Sequence, residues 1–176
     1  FVLSPTSLSA SLLPAPLAAA PVGSTVEIAP ARQATMVALA ERIVTHGGAA
    51  LVIDYGHARS TPGDTLQAVR RHAYHDVLND PGEADVTAHV DFEALAEAAA
   101  AAGADAHGPV SQGAFLAALG IDVRARRLAA GSPERATEIG AAKARLVAAE
   151  QMGRLFKVMA VTRPDFGPPA GFEAEP

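Results

Sequence analysis

The chain predicts an α/β fold, an open sheet flanked by helices, on three observations. A helical pattern at Arg32–Val44 runs into Gly47-Gly48 and then the short apolar run Ala50–Ile53. A second strongly apolar run, Leu155–Val161, stops at Arg163-Pro164. Capped helical segments lie between the two runs. Such alternation of helix and strand is the repeating unit of open α/β sheets.

Each element has local support. From Arg32 to Val44, Met36, Val37, Ala40, Ile43 and Val44 share one helical face, while Arg32, Gln33, Glu41 and Arg42 fall elsewhere. Pro30 precedes this helix and Gly47-Gly48 follows it, the usual asymmetry of helix ends. Ala50–Ile53 shows no alternation, which suits a parallel strand buried on both faces. Leu66–His75 reads as one strand, with Arg70 and His72 on one face and Arg71 and His75 on the other. Asn79–Gly82 has turn chemistry.

Asp91 is placed to cap a helix from Phe92 to Ala102, with Glu93 in its first turn and Gly103 past its end. Ala104–Val110 is a further strand, and Ser111 caps a short helix from Gly113 to Leu119. Ser132-Pro133-Glu134 opens a long helix with an apolar stripe of Ile139, Ala142, Leu146 and Ala149, ended by Gly153. The expected sheet therefore has strands near Leu51 and Leu155, flanked by helices at Arg32, Phe92 and Pro133.

Composition narrows the function. The length of 176 residues suffices for one domain with its own core. A net charge of −5 argues against a nucleic-acid partner, because phosphate binding wants a basic face. With no cysteine there is neither a disulfide framework nor a thiolate zinc site, which fits a reducing compartment. The apolar segment up to Pro21 is broken by Pro5, Pro14, Pro16 and Pro21 and has no basic start, so it reads as neither a membrane helix nor a signal peptide. The expected organisation is a truncated start over 1–25, a folded part over 26–163 and a flexible tail over 164–176.

Four histidines cluster between His57 and His89. Ligands of open α/β sheets lie beyond the carboxyl ends of strands, where Asp54, Tyr55, Gly56 and His57 stand. A carboxylate there can accept bonds from a guanidinium or ammonium group, and His57 can take a proton. Equally, Asp54 can close the turn through its own backbone, with His57 solvated. His89 stands just before a helix start, where the dipole favours the neutral imidazole that a base requires. A purely structural turn, with Asp91 as cap, reads as well. His72, His75 and Asp76, with His89 and Asp91, have no metal-motif spacing, and no metal is expected. No G-x-G-x-x-G, P-loop or G-x-S-x-G occurs; Gly47-Gly48 precedes a strand and is a helix stop.

Several blocks carry a resemblance: V-E-I-A-P at Val26–Pro30, G-G-A-A-L-V-I-D-Y-G-H, H-D-V-L-N-D-P-G-E-A-D-V-T-A-H-V-D-F, G-P-V-S-Q-G-A-F-L-A-A-L-G-I and M-G-R-L-F-K-V-M-A-V. In order and spacing they resemble the MidA-like methyltransferases, from the start of the chain to about Thr162. The resemblance implies the C-terminal part of a Rossmann-like class I methyltransferase fold with extra helices, and S-adenosylmethionine as co-substrate. Mitochondrial members of that family methylate an arginine in a core subunit of respiratory complex I and support its assembly. A protein substrate is therefore expected, in a bacterial cytoplasm or alternatively a mitochondrial matrix.

The family's Gly-rich donor loop lies in its N-terminal half, so no cofactor-binding residue is carried over. The positions carried over are catalytic Glu27, Asp54, His57 and His89, and substrate-binding Tyr55, Asp91 and Gln112. Glu27 and Asp54 are the first choices for holding a guanidinium, because paired N–H···O bonds orient and neutralise it. His57 or His89 would accept the proton. The competing expectation is a non-catalytic assembly module that holds a respiratory-chain subunit. If the family's N-terminal half normally covers one edge of the sheet, an apolar strand edge should stand open here and favour association.

Overall fold

The structure is a computed structural model that describes residues 13–14 and 17–173. Most of the expected start of the chain thus lies outside the described residues. Helix α1 (Pro30–His46) leads into strand β1 (Ala49–His57). A small antiparallel sheet follows, made of β2 (Gln67–Arg70), β3 (Ala73–His75) and β4 (Asp85–Thr87) in the order β3-β2-β4. The short β5 (Val90–Asp91) then runs into α2 (Phe92–Ala101). The remaining elements are β6 (Asp105–Ser111), α3 (Gln112–Ala118), α4 (Ile121–Gly131), α5 (Ala136–Val147), α6 (Met152–Leu155) and β7 (Phe156–Thr162). The main sheet has the order β5-β1-β7-β6.

The α/β class stands, but the sheet is mixed. Strand β7 lies between β1 and β6 and is antiparallel to both; only the two-residue β5 pairs parallel with β1. Register explains the burial. Val52 and Ala50 face the same way as Met159 and Val161, onto α1 and α2. Met36, Ala40 and Ile43 of α1 and Phe92, Leu95 and Ala99 of α2 fill that side. Leu51 and Ile53 point the other way, beside buried Ala160 and Val158, and are 51% and 47% exposed. The expectation of a strand buried on both faces thus fails at β1, while the apolar β7 is buried from Val158 to Thr162. Among the described residues, the β1 edge away from β7 is paired only at Gly56 and His57.

Three local expectations change. Leu66–His75 is a hairpin, not one strand, because Arg71 and His72 both adopt positive φ (52° and 65°) and reverse the chain. Residues 121–131, for which no element was expected, form α4. Ser132 makes no side-chain cap; a 3-10 turn at Pro133–Arg135 leads into α5, which ends at Val147 and packs on α3, α4 and α6, not as a flank of the sheet. Gly153 lies inside α6, where it permits contact: a Cβ there would come within 2.0 Å of the Val147 carbonyl oxygen. At the end of the chain, Phe172 lies against Phe115 with ring centroids 5.3 Å apart, so the segment read as flexible is folded back up to that point.

Candidate active site

The carboxyl end of β1 opens into a cleft of about 280 Å³. Its polar rim is formed by Glu27, Arg32, His57, His89 and Asp91, and its apolar walls include Ile28 and Leu95. The fold brings these together for simple reasons. Pairing of Gly56 with Val90 and of His57 with Asp91 sets the end of β1 beside the start of α2. Gly56 is required there, since a Cβ would lie 2.1 Å from the Val90 carbonyl oxygen.

Four of the seven expected site residues, Glu27, His57, His89 and Asp91, line the cleft. His57 Nε2 stands 3.7 Å from Asp91 Oδ2. That same oxygen accepts a bond from the Ser60 hydroxyl at 2.6 Å, while Asp91 Oδ1 caps α2 by accepting from the Ala94 N–H at 3.1 Å. Asp91 is therefore both the expected cap and a member of the rim. Tyr55 packs edge-on against His89, with centroids 5.6 Å apart, and also against Phe156.

The remaining positions are engaged elsewhere. Asp54 Oδ1 accepts from the Tyr55 N–H at 2.8 Å, the turn-closing arrangement that the sequence also allowed. Lys157, which pairs across from Asp54, turns its ammonium to the carbonyls of Arg154 and Leu155; burial, and then the Arg154 charge, lowers its pKa. Gln112 is buried, and its amide donates to the Leu146 carbonyl in the last turn of α5 at 2.8 Å, satisfying a helix-end acceptor. Glu27 lines the cleft, but its carboxylate accepts from the N–H groups of Thr65 (2.9 Å) and Leu66 (2.8 Å) and from the Thr65 hydroxyl.

Sequence reasoning missed Arg32, Ser60 and Thr65. Arg32 donates to the carbonyls of His89 (2.8 Å) and Ala88 (3.3 Å), and Thr65 Oγ1 accepts from the His89 N–H (2.9 Å). These bonds join residues 24 to 57 positions apart, a separation that no local pattern records.

The loop between β1 and β2 is tied down at both ends. Glu27 holds Thr65 and Leu66, and Glu93 accepts from the Arg59 guanidinium at 2.6 Å and the Ser60 N–H at 2.8 Å. The hydrogen bond from Arg59, with that from the Ser60 backbone, holds the Glu93 carboxyl below the usual glutamate range. A depressed folded pKa stabilises this attachment above the ordinary value of 4.5 and loses it as pH falls through the lower, folded value. Lowering the pH from about 6 through that lowered value should therefore free the Ser60 amide, read by NMR as faster solvent exchange after correction for intrinsic rates. A Ser60 amide equally protected throughout would refute the tie.

The described residues do not make a complete site for a nucleoside-bearing methyl donor. The cleft falls just short of the roughly 300–1,000 Å³ of small-molecule pockets. Both oxygens of Glu27 and of Asp91 already accept hydrogen bonds from the protein. Among the described residues no group of three His, Asp or Glu side chains is placed to hold a metal, and no helix is long and apolar enough to cross a membrane.

A chain of this α/β construction, with a cleft at the end of a sheet strand, has a matching family. Residues 1–110 match the family described as "Putative S-adenosyl-L-methionine-dependent methyltransferase", and the chain belongs to it. Among curated proteins it is similar to the mitochondrial protein arginine methyltransferase NDUFAF7. Identity is 39% over 142 residues for the Xenopus tropicalis protein, covering 77% of this chain and 32% of that one. It is 46% over 103 residues for the Homo sapiens protein, covering 58% and 23%. A Burkholderia thailandensis structure bound to S-adenosyl-homocysteine superposes with a TM-score of 0.63 and 33% identity, covering 78% of this chain and 36% of that one. The matches thus span between 23% and 36% of the length of these relatives. The expected resemblance, fold class and methyl donor of the family stand. The cytoplasmic expectation gains no support from the named relatives, which are mitochondrial, although the solved neighbour is bacterial.

Proposed function

We propose that this chain is the substrate-side, C-terminal portion of an S-adenosylmethionine-dependent protein arginine methyltransferase that acts on a core subunit of respiratory complex I. The observation that carries the reading is the cleft at the end of β1, where two imidazoles and a carboxylate converge on one rim. When bound in the complete protein, S-adenosylmethionine supplies the methyl group. The residues of this chain orient the acceptor and take its proton. Asp91, beside His57, offers negative charge to an incoming guanidinium, and either imidazole can receive the proton that the substituted nitrogen loses. Glu27 serves this site by anchoring the loop. The low charge density and lack of thiols suit a bacterial cytoplasm or a mitochondrial matrix equally.

Calorimetric titration with S-adenosylmethionine tests the proposal, using this chain and then the full-length polypeptide that carries it. Binding by the longer protein alone, together with methylarginine found by mass spectrometry in a complex I subunit, is the expected result. Binding by neither would sink the enzyme reading and favour an assembly module.

A further inference from the structure

Resting on that reading, we infer that Thr65 and Arg32 are positioning residues that hold His89 at the reaction cleft. Ala88 and His89 belong to no helix and no paired strand, so backbone pairing does not fix them. Side chains from two distant segments do so instead. The Thr65 hydroxyl gives its single proton to the Glu27 carboxylate, so its oxygen is left to accept the His89 N–H, which it does at 2.9 Å. On the other side of the same residue, the Arg32 guanidinium forks over the carbonyls of His89 and Ala88 at 2.8 and 3.3 Å.

The His89 ring is then steadied by the edge of Tyr55. The backbone of one residue is thereby gripped at both its donor and its acceptor, and its side chain leans on a third element. Glu27 gives the grip its direction. Its other contacts fix the Thr65 and Leu66 backbone, so the threonine hydroxyl cannot rotate toward solvent without abandoning a charged acceptor. An imidazole that must meet a substrate nitrogen within hydrogen-bond reach needs this kind of support, because a small misplacement costs orders of magnitude in rate.

The test compares Thr65→Val, which keeps the shape and removes the hydroxyl, with Thr65→Ser, which keeps the hydroxyl. Arg32→Lys, which keeps the charge and loses the fork, is the second probe. In this chain, amide exchange at His89 should quicken at least about tenfold in Thr65→Val and stay near the unsubstituted rate in Thr65→Ser, with cooperative unfolding retained. In the full-length methyltransferase, Thr65→Val and Arg32→Lys should lower kcat by about tenfold or more with KM for S-adenosylmethionine unchanged, and Thr65→Ser should restore it. Unchanged exchange and unchanged kcat in both variants would overturn the inference. So would an equal loss in Thr65→Ser, which would mark a packing role. If the unsubstituted full-length protein transfers no methyl group, the methyltransferase reading falls and the reaction role with it. The exchange arm then decides separately whether the two residues hold the His89 backbone.

Discussion

Gly56→Ala should destabilise the protein by roughly 1–3 kcal/mol and dismantle the cleft as well. The added Cβ would lie 2.1 Å from the Val90 carbonyl oxygen and 3.0 Å from the Val90 carbonyl carbon and nitrogen. These are backbone atoms with no rotamer to escape into, so the pairing of β1 with β5 must open. Val90 is followed by the helix cap Asp91 and preceded by His89. One methyl group would therefore move the imidazole, the carboxylate that neighbours His57, and the start of α2 together. Urea unfolding would give the stability change, and the His57 and His89 ring signals in NMR spectra the local one. Unmoved ring signals in a fully stable variant would contradict the close approach of the two strands.

Phe92→Ala carries the larger energetic cost, about 3–5 kcal/mol. Phe92 is 0% exposed and sits where both flanking helices meet the sheet, among Met36, Ala40, Ile43, Leu95, Met159 and Val161. Deleting the ring removes its burial and leaves a cavity that the sheet cannot collapse to fill. Phe92 is also the first residue of α2, directly after the cap, so the loss is felt at the cleft as well as in the core. Phe92→Leu should cost much less, because most of the volume survives. A loss below about 1 kcal/mol for the alanine variant, measured by denaturant unfolding, would mean that the ring is not the keystone of this layer.

What could be read beforehand was what local chemistry encodes. Asp91 and Ser111 announced their helices, and both side chains accept the expected amide bonds. The apolar stripe of α1 pointed to Met36, Ala40 and Ile43, which are buried. Strand direction was not legible: Ala50–Ile53 looks the same in a parallel or a mixed sheet, and exposure of Leu51 and Ile53 depends on what packs above them. The hairpin at Arg71-His72 was hidden because neither residue is a usual occupant of positive φ. Helix α4 was missed because it starts on Gly120, a left-handed residue that reads as a helix stop, and has no side-chain cap to announce it. In the cleft, the histidines and Asp91 were marked by their place near strand and helix ends. Arg32 and Thr65 lacked such a mark, and Glu27 was recognised as important while its partner was not.

The grip on His89 also has a history within each folding event. Its bonds span 38 residues from Glu27 to Thr65, 24 from Thr65 to His89 and 57 from Arg32 to His89. Closing spans of this length is an entropic expense that rises by about 0.6 kcal/mol with each doubling, and it must be met before any of these bonds forms. Helices and the β2–β3 hairpin, whose contacts are closer in sequence, can shorten these spans by forming first, whereas the β1–β7 pairing joins residues as far apart as Ala49 and Thr162. The grip is thus a small unit of its own, and its loosening is a local opening that leaves the sheet and helices in place.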